Sequence, residues 1–79
     1  MSPSGTITNI YKPSSKGKRI IVEVYDENGY VNDLSVGRKE YYRLERDYGD
    51  IIGQDVYFEE NRLVGVEVDD DKWEVFLEK

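Results

Sequence analysis

The side chains with the clearest chemical potential are cations interleaved with tyrosines. Lys12, Lys16, Lys18 and Arg19 cluster around Pro13 and Gly17 directly after Tyr11, and Arg38, Lys39, Arg43 and Arg46 follow, flanking Tyr41 and Tyr42. Ammonium and guanidinium groups neutralise phosphates, and aromatic faces stack on unpaired bases, so this mixture matches what single-stranded nucleic acid requires. The expectation is that Lys12, Lys16, Lys18 and Arg19, joined by Arg38 and Lys39, contact the backbone of single-stranded DNA or RNA. Tyr11, Tyr25 or Tyr30 would stack on its bases. The plainer account of the same residues is a solvated lysine loop and tyrosines that pack a small core.

The overall charge of −6 argues against a general-purpose DNA binder, but it is unevenly distributed. Residues 1–46 hold eight basic and six acidic side chains, and residues 47–79 hold three basic and eleven acidic ones, so the halves are +2 and −8. The acidic half supports an alternative, in which Glu59, Glu60, Glu67, Asp69, Asp70 and Asp71 imitate phosphates and engage a basic protein partner. Against it, Asp69 to Asp71 also suit a solvated turn, and carboxylates at a sheet edge discourage aggregation.

Catalysis has little to work with. The sequence has no cysteine and no histidine, which removes thiol chemistry, thiolate zinc sites and the usual general base near neutral pH. Asp69-Asp70-Asp71 lacks the alternating ligands and the glycine of a calcium loop, and no phosphate-cradling glycine loop is present. The expectation is therefore a binding module with no catalytic residue, metal or cofactor. No apolar run approaches the roughly 18 residues that span a membrane, and residues 1–5 lack the apolar core of a signal peptide, so a cytoplasmic protein is expected. At 79 residues a single domain is expected over 1–79, with 1–4 as a tail.

The elements that must position these residues read as β-rich. Nineteen residues are Ile, Val or Leu, ten are aromatic and alanine is absent, a mixture suited to pleated, half-buried surfaces. Strands are expected over 5–11, 19–26 and 30–36, with an exposed loop at 12–18. Glu27-Asn28-Gly29 signals a hairpin. A three-residue loop there pairs Val24 with Asn32, Val22 with Leu34 and Ile20 with Val36, collecting the aliphatics on one face. A two-residue Asn28-Gly29 turn would mix core and solvent positions. The other face would carry Ile21, Glu23, Tyr25, Val31, Asp33 and Ser35. Tyr41, Leu44 and Tyr48 fall at helical spacing between Gly37 and Gly49, and predict one short amphipathic helix. Strands are expected near 54–59 and 63–68, the latter alternating Leu63, Gly65 and Glu67 against Val64, Val66 and Val68. A sixth is expected over 72–78, with Trp73 as a lid.

Three strands, a helix, two strands and a terminal strand resemble the order of the oligonucleotide/oligosaccharide-binding (OB) fold, a small five-stranded barrel with a helix between strands three and four. Gly5-Thr6-Ile7-Thr8-Asn9-Ile10 resembles the opening strand of cold-shock and S1-type domains. Ile52-Gly53-Gln54-Asp55-Val56-Tyr57-Phe58-Glu59 resembles their fourth strand, and Gly29-Tyr30-Val31-Asn32-Asp33-Leu34-Ser35 the S1 third strand. The resemblance implies a five- to six-stranded β-barrel that binds nucleic acid. The cold-shock stacking platform is mostly missing: residues 16–21 contain no aromatic, and the third strand has only Tyr30. An SH3-like barrel is the alternative architecture. An open edge on the terminal strand leaves a monomer or a weak homodimer as the expected state.

Overall fold

A computed structural model describes residues 4–14, 17–69 and 72–75. Six strands, β1 (Ser4–Tyr11), β2 (Ile20–Asp26), β3 (Val31–Val36), β4 (Asp55–Glu59), β5 (Arg62–Asp69) and β6 (Lys72–Val75), form one antiparallel sheet. Its order is β3-β2-β1-β4-β5-β6, and helix α1 (Arg38–Tyr48) lies between β3 and β4 in the chain.

The β2–β3 hairpin has the register that one-sided burial demands. Val24 pairs with Asn32, Val22 with Leu34 and Ile20 with Val36, and the five aliphatics of these pairs are all buried. The loop is the three-residue Glu27-Asn28-Gly29, closed by a hydrogen bond from the Asp26 N–H to the Tyr30 carbonyl (2.9 Å). Gly29 sits at φ +83°, a left-handed conformation that side chains disfavour. Tyr30 falls just outside β3, and Arg19 just before β2.

Strict alternation fails at two places. Ile7 and Ile10 are three residues apart, so a regular strand would send them to opposite faces. A bulge at Thr8 changes the parity: Ile7 pairs with Val24 and Ile10 with Val22, and both join the core side. The expected alternation of β5 is likewise corrected. Its pairing with β4 shifts so that Val66 opposes Val56 while Leu63 opposes Phe58, and all four are buried. Leu63 and Val66 thus share a face that a regular strand would deny them.

Helix α1 starts after Gly37, and its Gly49 cap donates an N–H to the Glu45 carbonyl (2.8 Å). Tyr41 and Leu44 are buried and Tyr48 packs against the same cluster, as the spacing predicts. Ile51, with neighbouring Gly53 and Gln54 bonded to the backbone of Ile7, completes this layer.

The sheet does not close into a continuous barrel ladder. β3 and β5 touch, and the Ser35 N–H donates to the Asn61 carbonyl (2.8 Å) in the β4–β5 turn, but regular pairing does not run between them. Gly37 turns the chain into α1 immediately after Val36, which removes the strand length that closure would need. The outer part of the expected sixth strand, 76–78, and the side chain of Trp73 lie outside what is described.

Two backbone positions give measurable consequences. A Cβ at Gly5 would press on the Tyr25 carbonyl oxygen and lie 2.6 Å from Val24 Cγ1, so the β1–β2 pair would have to part. Gly5→Ala is expected to destabilise by about 1–3 kcal/mol, read as a lower urea midpoint at unchanged m value. Glu60, in the β4–β5 turn, has φ 57°, a conformation that costs a side chain about 1–2 kcal/mol. Glu60→Gly should therefore raise the melting midpoint, and a lower one would mean that the Glu60 side chain contributes more than its backbone costs.

Candidate nucleic-acid interface

The cations singled out by the sequence gather around α1 and the β1–β2 loop, and several of them hold that region together. The Arg38 guanidinium donates from Nε to the Lys18 carbonyl (2.8 Å) and from Nη2 to the Pro13 carbonyl, fastening both ends of the loop to the first turn of the helix. Such loop carbonyls have no ladder partner, and a planar, permanently charged donor fork can satisfy two of them at once. Arg19 donates to the Ser35 hydroxyl (2.6 Å) and carbonyl (3.1 Å), linking the start of β2 to the end of β3.

Lys12 folds onto the helix. Its ammonium lies 3.5 Å from Glu45 Oε2, 4.9 Å from the centre of the Tyr41 ring and 5.8 Å from that of Tyr42. The Tyr41 hydroxyl donates to the same Glu45 oxygen (2.9 Å). The hydrogen bond with Tyr41 chiefly raises the Lys12 pKa, with Glu45 adding to it, so the ammonium stays charged. Burial, followed by the Glu45 hydrogen bond, pushes the Tyr41 phenol up and keeps it neutral.

Lys39, Tyr42, Arg43 and Arg46 are exposed along α1 at i, i+3, i+4 and i+7, and together with Glu40 they line a shallow depression of about 380 Å³. Arg46 also pairs with Asp47 (3.2 Å), an exposed contact of little energetic weight. Tyr42 packs edge-on against Tyr41, with ring centroids 5.3 Å apart, and remains 47% exposed. Lys18 is exposed at the end of the loop that Arg38 holds. Tyr42, Arg43 and Arg46 stand in the sequence only as neighbours of the helix-spaced Tyr41 and Leu44, and it is the docking of the loop on α1 that brings Lys12 to 5.8 Å from the Tyr42 ring. Lys16 lies outside the described residues.

The tyrosines do not form one platform. Tyr11 is 64% exposed and sits opposite Ile21 on the outer face of the sheet. Tyr25 is four residues further along β2, about 13 Å away at strand spacing, and Tyr30 lies beyond it at the hairpin. Between them Glu23 opposes Asp33 across β2 and β3. Like charges directly opposite each other on the same face leave no continuous basic stripe there.

The acidic residues also separate. Glu59 and Glu60 are exposed at the β4–β5 turn, which reaches β3 at Ser35. Glu67 lies at the opposite end of the sheet, lining a groove of about 260 Å³ with Thr6, Tyr25, Asp26, Glu27 and Asp55 among others. The Thr6 hydroxyl donates to Asp55 (2.7 Å), and the Gln54 amide donates to the Glu67 carbonyl (2.6 Å). Asp69 pairs with Lys72 through the backbone, its side chain lies outside the description, and so do Asp70 and Asp71. No family model, curated protein or solved structure matches this chain.

Asp26, on the groove wall, organises the hairpin. Its carboxylate accepts the N–H groups of Tyr30 and Asn28 (2.9 Å each) and the Asn32 amide (3.0 Å). The Tyr30 N–H foremost, then Asn32 and Asn28, lower its pKa below the ordinary 3.8. A carboxyl depressed in the folded state stabilises above its unfolded pKa, and that stabilisation is lost as pH falls through the folded value. Asp26→Asn is therefore expected to melt below the parent at pH 7, with the gap closing once pH drops beneath 3.8. Circular-dichroism melts between pH 7 and 2 check this, and a constant gap would refute it.

Proposed function

We propose that this protein is a non-catalytic OB-type module that binds single-stranded nucleic acid on the surface shared by α1 and the β1–β2 loop. The observation that carries the reading is the exposed row Lys39, Tyr42, Arg43 and Arg46 along α1, a helix to which Arg38 and Lys12 also fasten the lysine-bearing β1–β2 loop. The strand order β3-β2-β1-β4-β5, the helix between β3 and β4, and the approach of Ser35 to Asn61 support the OB assignment.

In this reading Lys18, Lys39, Arg43 and Arg46 meet phosphates, and Tyr42 offers the free part of its ring to a base. Arg38 and Lys12 shape the surface from within. Lys39 and Arg46 are seven residues apart, about 10 Å along the helix axis, so the helical part of the site accommodates two or three nucleotides. Short, weak, sequence-tolerant contact follows, since phosphates and one aromatic face carry no base code.

A fluorescein-labelled oligothymidylate or oligouridylate titrated by anisotropy tests this reading. About four phosphate contacts predict that log K falls with log[salt] at a slope of about −2 to −3. Tyr42→Ala should weaken binding by about 1–3 kcal/mol, the value of one stacked base. The paired Lys39→Glu and Arg43→Glu changes should abolish binding, while Tyr25→Ala leaves it unaltered. Absence of saturable binding at about 50 mM salt, where phosphate contacts are strengthened, would reject the proposal.

A further inference from the structure

The outer face of β1, β2 and β3 is covered by no other described element, and its hairpin end combines exposed apolar surface with concentrated negative charge. Tyr25 and Val31 are cross-strand partners, 48% and 50% exposed, and Tyr30 beside them is 69% exposed. Asp26, Glu27, Asp55 and Glu67 line the adjoining groove with Tyr25, and none of the groove's described lining residues is basic. Glu23 and Asp33 occupy the next row of the same face.

We infer that this face is a docking surface for an arginine-bearing segment of a protein partner, with a guanidinium seated in the groove against Tyr25. Charge complementarity selects the occupant. A phosphate backbone laid here would meet carboxylates on both sides of Tyr25, which separates this surface from the one on α1. Among the described residues no three carboxylates are grouped so as to hold a metal ion, so a bare cation is not what the arrangement fits. A guanidinium fits both features. Its flat face packs on an aromatic ring, and its edge donates fork-like to carboxylates. An aliphatic residue next to that arginine would cover Val31, which lies half-exposed at the hairpin end of the edge strand β3.

The inference is independent of the nucleic-acid reading and is tested on the full chain with a labelled peptide that alternates arginine and valine, beside its glutamate–valine counterpart. Saturable binding of the arginine peptide alone is expected at about 150 mM salt, where the screening length is about 8 Å and only close charges count. Backbone amide shifts should centre on Thr6, Tyr25, Val31 and Asp55. Tyr25→Leu, and separately the pair Asp55→Asn with Glu67→Gln, should each weaken binding about ten-fold, whereas Tyr25→Phe should retain it. Glu59→Gln with Glu60→Gln removes the same charge at the far turn and should change affinity less than about two-fold. Equal losses from both acidic pairs would reveal only a general attraction and overturn the inference. So would shifts centred on α1, or a salt-sensitive dimer of the chain alone that occupies this face through the Arg43 stripe of a second copy.

Discussion

Successive side chains of a strand point to opposite faces, so a one-residue change in pairing exchanges core for solvent. In this small sheet that constraint governs both what packs inside and what faces outward. The bulge at Thr8 lets Ile7 and Ile10 enter the same core and leaves Tyr11 on the outer face. The shift between β4 and β5 does the same for Leu63 and Val66. Where pairing is regular, as in the β2–β3 hairpin, burying Ile20, Val22 and Val24 necessarily turns Ile21, Glu23 and Tyr25 outward. The acidic, tyrosine-bearing face is thus the obligatory complement of the core.

The second organising contact is the hold of Arg38 on the loop carbonyls of Pro13 and Lys18. Lys12 clamped by Glu45 and the Tyr41 ring, and Arg19 bonded to Ser35, act in the same way. These are cations employed in construction, and their charge is directed at groups of the protein itself. Lys39, Tyr42, Arg43 and Arg46 are exposed along α1, held in a line by the helical period. A basic side chain in a loop and one on a helix face look alike in composition. Only the folded chain shows which of them reach across to another segment, as Lys12 and Arg38 do.

This explains which parts of the molecule could be read in advance. The hairpin register followed from burying one face, and the three-residue loop followed from that register together with Gly29. The helix was legible because Tyr41, Leu44 and Tyr48 recur at its period between two glycines. The bulges were not legible, because each depends on a partner strand elsewhere in the sequence: Ile10 belongs to the core only by virtue of Val22. Linear proximity of lysines and tyrosines likewise does not reveal that Glu23 and Asp33 lie between the Tyr11 and Tyr25 rows.

Charge shows the same difference between sequence and space. Cutting the chain at residue 46 separates +2 from −8, yet the carboxylates around Tyr25 come from both sides of that cut: Asp26 and Glu27 from β2 and its turn, Asp55 and Glu67 from β4 and β5. Antiparallel pairing of β1 with both β2 and β4 brings them together. The segregation that matters is therefore between surfaces, a basic helix stripe and an acidic sheet face. At physiological salt the screening length is only about 8 Å. A net charge of −6 consequently says little about what either surface attracts, because a ligand at one of them responds mainly to the groups within that reach.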